Sequence, residues 1–396
     1  MILLRDGDVC LPGGRRAAVD VRIDGAVIDR IGHDLPCAGA TVVDARGLLV
    51  APGFIDLHIH GAGGAMCEDG DVAALERISR TLARGGVTSF LATLATLPAA
   101  RLRTAVEAVA LFAGSEAGAR IAGIHLEGPY LNPQRAGAQA ADWMRVPSIE
   151  ELDTLQGFAG GRIRLITLAP ELDGALPFIA AVREYGVHVA LGHSDATALE
   201  TDLAIAAGAT HVTHLFNAMR GLHHREPGVL GPALTEDGVS VELICDGHHV
   251  APAVIDLAWR CKPRGKLVLV SDAVAPLGMP DGDYELFGVA CIKHDGTVRL
   301  RESGRLAGSC LSLDRAVRNL RQWLPRLPLE DILAAASSAP AAVIGEPAGV
   351  IEEDAVADLV LLDPELEVVA TICRGRIVWQ RPSSLAARSE PTASGS

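Results

Sequence analysis

Asp56-Leu57-His58-Ile59-His60 follows the apolar run Ala51-Pro52-Gly53-Phe54-Ile55. The run reads as a buried strand, and side chains alternate along a strand, so His58 and His60 point to one face. Two imidazoles at the C-terminal end of a strand can grip one metal ion. A lone His-x-His is more often a pair of satisfied core or surface histidines, so the reading depends on further ligands elsewhere in the chain. His125-Leu126-Glu127-Gly128-Pro129, Gly192-His193-Ser194, Thr213-His214-Leu215-Phe216-Asn217 and Ser271-Asp272-Ala273 each close an apolar run with His, Glu or Asp. Core polar residues scattered at random would not select the same end of successive strands. Imidazole and carboxylate donors suit zinc or a similar divalent ion, with one position left open for a water whose pKa the metal lowers. Asp272 is then the natural general base and acid; its plainer alternative is a helix N-cap or a buried structural carboxylate.

These residues need a frame that brings strand ends together. Eight apolar strands are expected at Phe54–His60, Val87–Thr93, Ile121–Glu127, Ile163–Ala169, Val187–His193, His211–Leu215, Val241–Asp246 and Leu267–Asp272. Ala-rich helical segments such as Val72–Arg84 and Arg101–Ala113 link most of them, with Gly85-Gly86 and Gly208 placed as C-caps. Eight β/α units fit a TIM barrel, whose active sites lie at the C-terminal ends of the strands; a doubly wound open sheet is the runner-up. Residues 1–50 contain strand pieces with a hairpin turn at Asp24-Gly25, and strands recur over 350–382. The expectation is a small β-sandwich domain built from both termini, a barrel over 51–349 with a β-hairpin insertion near 284–304, and a disordered Ser/Ala/Pro-rich tail over 383–396.

With 396 residues, 49% of them hydrophobic, the chain can bury a large core. A net charge of −14 argues against nucleic acid as a partner and requires a local basic patch for any anionic substrate. No window approaches the roughly 18 apolar residues of a membrane span. The N-terminus lacks the pattern of a signal peptide, and the eight cysteines include no Cys-x-x-Cys pair. A cytoplasmic location with reduced thiols is the resulting expectation.

The His-x-His on the first strand, single His residues ending the fifth and sixth, and Asp ending the eighth resemble the amidohydrolase superfamily. Within it, the chain resembles the N-acetylglucosamine-6-phosphate deacetylase family over nearly its whole length. The supporting stretches are Pro52–Asp56, His125–Asn132, Gly192-His193-Ser194, Thr213–Met219, Arg225-Glu226-Pro227-Gly228, Asp246–Val250 and Leu306-Ala307-Gly308-Ser309. The resemblance implies that Glu127, His193 and His214 hold a principal metal. His58 and His60 would help hold a second, more exposed one, with Glu127 as a bridge. Zinc is the first choice, with iron, manganese or cobalt as alternatives and one or two ions bound. The bridging carbamylated lysine of many binuclear relatives has no candidate here: the only lysines are Lys262, Lys266 and Lys293, and none ends a barrel strand.

The implied reaction is hydrolysis of the acetamide of N-acetylglucosamine 6-phosphate to glucosamine 6-phosphate and acetate, in amino-sugar catabolism, with Asp272 moving the proton. Asn217, Ala218 and Arg225 would bind the phosphate, Arg225 reaching the active site of a neighbouring subunit in a homodimer; as a loop residue it is otherwise a solvated surface arginine. His249 would touch the sugar, and Leu306, Ala307, Gly308 and Ser309 would line its pocket with backbone groups. Gln139 stands where some relatives carry a His. It can donate a hydrogen bond but cannot act as an acid, which bears on the choice between gluco and galacto isomers. The competing readings are a galacto-specific deacetylase, a deaminase or aminoacylase acting on an unphosphorylated substrate, and a catalytically dead scaffold; the retained ligands speak against the last.

Overall fold

The structure is a computed structural model, and it describes residues 1–382. The tail expected over 383–396 lies outside the described residues. Eight parallel strands form the central sheet: β1 (Phe54–Ile59), β2 (Val87–Leu94), β3 (Arg120–Glu127), β4 (Ile163–Leu168), β5 (His188–Leu191), β6 (His211–Val212), β7 (Ser240–Ile244) and β8 (Leu267–Val270). They are hydrogen-bonded in sequence order. Closure between β8 and β1 comes at the C-terminal end, where Asp272 N donates to His58 O and His60 N to Ala273 O, each at 2.9 Å. Burial on both faces explains why these strands read as nearly continuous apolar runs.

Several strands end earlier than the sequence suggests. β5 stops at Leu191 and not His193, β6 at Val212 and not Leu215, and β8 at Val270 and not Asp272. The reason is local. His193 (φ 48°), His214 (φ 27°) and Asp272 (φ 48°) all leave the extended region for positive φ, which breaks the ladder. Non-glycine residues pay conformational strain there, and these three lie just beyond the C-terminal ends of β5, β6 and β8.

The helices follow ordinary signals. Asp71 caps Val72–Arg84, which buries Ala74, Leu75, Ile78 and Leu82 along one stripe. Thr197 and Glu200 form a capping box on Ala198–Ala207, fixing the chain soon after His193. The helix expected at Arg101–Ala113 occupies Ala99–Phe112.

Both termini contribute to a second eight-stranded sheet. Its strand Leu49–Pro52 pairs antiparallel with Leu359–Leu362 and leads directly into β1. The sheet curls so that Ile28 N donates to Ala355 O, and residues from both chain ends, among them Val21, Ile23, Leu359 and Ile372, share one core. The expected hairpin near 284–304 is larger than a hairpin. Gly282–Leu286, Val289–His294, Thr297–Leu300 and Leu306–Ser309 form a four-stranded sheet over the barrel mouth. Its last strand returns to the barrel through Ser309 N, which donates to Asp272 O at 2.8 Å. No described helix is long and apolar enough to cross a membrane.

Candidate metal centre

Glu127 ends β3, and the next residue, Gly128, turns the chain at φ +102° where a Cβ would lie 2.3 Å from Thr96 Oγ1. That turn is open only to glycine. Around Glu127 the strand ends converge as two triads. Glu127, His193 and His214 form one; His58, His60 and Asp272 form the other. Glu127 Oε1 lies 3.1 Å from His193 Nε2 and 2.9 Å from His214 Nε2, while the two imidazole nitrogens are 3.1 Å apart. On the other side, His58 Nε2 and His60 Nε2 are 3.3 Å apart, and each stands 3.5 to 3.6 Å from Asp272 Oδ1. Glu127 joins the triads, since its Oε1 is 3.3 Å from His58 Nε2 and its Oε2 is 3.1 Å from His60 Nε2.

The outer faces of the histidines decide what the inner nitrogens carry. His193 Nδ1 is 2.8 Å from the Arg135 carbonyl, which can only accept, so Nδ1 bears the proton. His58 Nδ1 donates to Glu242 Oε2 at 3.0 Å, and His60 Nδ1 to Glu68 Oε1 at 2.9 Å. In the neutral ring each of these histidines therefore turns a lone pair inward, toward other lone pairs and carboxylate oxygens. Acceptors facing acceptors at such distances call for a cation, and backing partners of this kind orient metal-binding histidines. The carboxylates around the rings favour positive charge here, whether on the rings themselves or on an ion between them. Burial works against charge on His58, but Glu127, Glu242 and Asp272 hold its pKa well above the ordinary value. Burial likewise opposes charge on His60, yet Glu68 and Glu127 push it up to about 10. Burial would raise Glu127, but the surrounding histidines hold it well below the usual carboxylate range. The donor set of imidazoles and carboxylates fits a divalent cation.

A cleft of about 380 Å³ opens above the triads. Asn217, Ala218, His249, Gln139, Leu306 and Gly308 line it together with Glu127, His193, His214, His60 and Asp272. Ala307 and Ser309 do not line it. Leu306–Ser309 is a strand and not a loop, so alternate side chains face away: Ala307 packs with Val274 and Val298, and Ser309 Oγ donates to Ser271 O at 2.5 Å. Arg225 also lies outside the cleft, exposed and within 3.1 Å of His224 Nε2. Both ends of the Gln139 amide are engaged by protein: Nε2 donates to Glu127 Oε2 at 2.6 Å, and Oε1 accepts from Thr96 N at 2.8 Å. In the second triad Asp272 is the more open member, its side chain 13% exposed, while the two histidines are as buried as those of the first. The His58 and His60 side chains are 0% and 4% exposed, against 6% and 5% for His193 and His214.

The backing residues Glu242 and Glu68 escape the sequence reading. Glu242 interrupts the apolar run Ser240–Ile244, a signal that could have been read as an inward carboxylate; Glu68 lies in an irregular stretch and offers none. His125 is another, its ring held between Thr93 and Thr167 and 4.8 Å from that of His58. All three lysines bind backbone carbonyls away from the triads. The β4 end instead supplies Glu171, which accepts from Asn132, Ser194 and the Asp195 amide.

Residues 49–378 match the model of the amidohydrolase family. The chain is 40% identical over 336 residues to an N-acetylglucosamine-6-phosphate deacetylase of Vibrio furnissii, covering 84% of each protein. It is 39% identical over 340 residues to an N-acetylgalactosamine-6-phosphate deacetylase of Escherichia coli O157:H7, covering 85% of this chain and 89% of the relative. Among solved structures, an aspartate-to-alanine mutant of N-acetyl-D-glucosamine-6-phosphate deacetylase from Mycobacterium smegmatis, in complex with N-acetyl-D-glucosamine-6-phosphate, superposes with a TM-score of 0.89 at 35% identity, covering 95% of this chain and 99% of that one.

Proposed function

The chain belongs to the amidohydrolase family, and on that footing we propose that it is a metal-dependent deacetylase that hydrolyses N-acetylglucosamine 6-phosphate to glucosamine 6-phosphate and acetate. The observation that carries this reading is the inward convergence of lone pairs from His193, His58 and His60 onto Glu127, beside Asp272, at the floor of a sugar-sized cleft. Glu127, His193 and His214 would hold one ion, and His58, His60 and Asp272 a second; zinc suits these donors best. A divalent cation held there supplies Lewis-acid polarisation of the amide carbonyl and acidifies a water nucleophile.

Asp272 then takes the proton from the attacking water as the oxygen bonds to the carbonyl carbon, and returns it to the amide nitrogen as the C–N bond breaks. Acetate and a free amine leave. Asp272 is held for this by two backbone bonds, its N–H to His58 O and its carbonyl from Ser309 N. Such proton transfer contributes roughly 10²–10⁴-fold.

The phosphate end of the cleft has its own support. His214, Phe216 and Ala218 have positive φ and alternate with ordinary residues, a pattern that builds anion-accepting backbone concavities beside Asn217. Arg135, which lines the cleft, is committed to Asp195 at 3.0 Å, and Arg305 lines it as well; a cation from a second copy would add to them. We assign that role to Arg225 of a second copy in a homodimer. Arg225 is exposed on its own chain, as are Leu222 beside it at 54% and Leu199 and Leu203 at 68% and 46% on the helix Ala198–Ala207, whose Ala198 N–H donates to Glu226. A cytoplasmic location suits an enzyme acting on a phosphorylated sugar.

The deciding experiment is metal analysis of the purified protein together with acetate release from both N-acetylhexosamine 6-phosphates and their unphosphorylated forms. A metal-dependent preference for the gluco phosphate is expected; a preference for unphosphorylated sugar sinks the reading. Mixing inactive Asp272→Asn with inactive Arg225→Ala should restore activity, because mixed dimers contain one intact site. Absence of recovery in verified heterodimers removes Arg225 from the neighbouring site.

A further inference from the structure

Glu242 sits in the middle of β7, fully buried. One of its oxygens, Oε2, accepts from His58 Nδ1 at 3.0 Å and from the backbone N–H of His214, also at 3.0 Å. The other, Oε1, accepts from His211 Nε2 at 3.0 Å. Its own carbonyl accepts from Leu215 N at 2.9 Å. A single carboxylate oxygen thus holds the ring of a ligand from one triad and the backbone of a ligand from the other. The His214 bond falls at the residue whose φ of 27° breaks the strand and turns the imidazole inward. A buried charge is retained only where hydrogen bonds satisfy it, and here three donors from three directions do so.

We propose that Glu242 is a positioning residue that couples the two cation positions, so that loss of its carboxylate's bonds to His58 and His214 weakens both ions together. The inference rests on the metal-dependent reading above. The chemistry is specific to a carboxylate. Glutamine at this position has one acceptor oxygen and one donor nitrogen. If the nitrogen faces His58 and His214, it meets two N–H groups. If the oxygen does, a neutral acceptor replaces a charged one and the nitrogen meets the Nε2–H of His211. By contrast, Glu68 touches the ring of His60 alone among the ligands.

The test measures the two stepwise Zn²⁺ dissociation constants, by chelator competition, for the wild-type protein, Glu242→Gln, Glu242→Asp and Glu68→Gln. Loss of a backing partner costs roughly 10–100-fold in metal affinity. Glu242→Gln should weaken both steps by that factor, and so should Glu242→Asp, which keeps the charge but falls short of both donors; Glu68→Gln should weaken one step only. The coupling is overturned if the Glu242 variants leave both constants within about twofold of wild type, or weaken one step only as Glu68→Gln does. A wild-type protein that binds no Zn²⁺ would instead refute the metal reading itself. If neither Glu242 variant folds, histidine ring ¹⁵N spectra of Zn²⁺-loaded wild type decide: a protonated Nδ1 on His58 and a protonated Nε2 on His211 are expected, and His58 with a bare Nδ1 overturns the proposal.

Discussion

His193 rests its outer ring nitrogen on a neutral backbone carbonyl, whereas His58 and His60 rest theirs on carboxylates. The histidines of the two triads face each other across Glu127 at nearly equal burial, so their backing distinguishes them more than solvent does. A carboxylate behind an imidazole makes the ring a more basic donor and adds negative charge to the site. The triad of His193 and His214 has Glu127, which both triads share, within 3.1 Å of both rings. The triad of His58 and His60 has Asp272 Oδ1 at 3.5 to 3.6 Å from both rings, and adds the charges of Glu242 and Glu68 behind them. Each triad therefore has a carboxylate among its own members, and only the second adds carboxylates behind its rings.

That contrast can be broken at its centre. Glu127→Gln removes the charge both triads share, and it should abolish acetate release and strip metal from both positions, read by metal analysis after dialysis. Activity with full metal content in this variant would refute the shared role. Asp272→Asn should lower kcat by roughly 10²–10⁴-fold while the melting temperature and the ion at Glu127, His193 and His214 are kept. Near-normal turnover there would assign the proton transfer to another group. Replacing His58 and His60 together by Asn should remove one of two metal equivalents and cost roughly 10–100-fold in activity, with the other ion retained. Equal loss of both ions would erase the distinction between the triads.

The smallest effect concerns the cleft wall. Burial disfavours charge on His249, but the hydrogen bond and charge of Asp246, 2.6 Å away, raise its pKa above the ordinary 6.5. A raised pKa keeps the imidazolium present below that value and loses it as pH climbs through the raised one. KM for a phosphorylated substrate should therefore stay flat through pH 6.5 and rise above it. His249→Gln should raise KM about tenfold at low pH and remove the later rise. A KM profile identical to wild type would place His249 outside substrate recognition.

The ligands were legible because a barrel collects strand C-termini on one face, and a strand that ends in His, Glu or Asp announces itself locally. The same logic misjudged the ends of β5, β6 and β8. Hydropathy runs through Gly192-His193 and Thr213-His214 unchanged, while the backbone turns to positive φ there under tertiary constraint. Leu306–Ser309 carries no strand signal of its own, and its strand geometry leaves Leu306 and Gly308 on the cleft and sends the side chains of Ala307 and Ser309 behind it. The excursion over 282–309 shows only one clear turn in sequence, at Asp295-Gly296, because its remaining strands are short and half-exposed.

Residue type and spacing were enough to establish a parallel barrel, an inward His/Glu/Asp set and the absence of a bridging lysine, since each depends on short-range periodicity. Folding was needed to decide which ring nitrogen of each histidine carries the proton, which carboxylate stands behind it, and that one oxygen of Glu242 serves ligands 156 residues apart in sequence, His58 and His214. Those choices depend on side chains from distant strands meeting in a dry core, where a few tenths of an ångström determine donor and acceptor, and no local pattern encodes them.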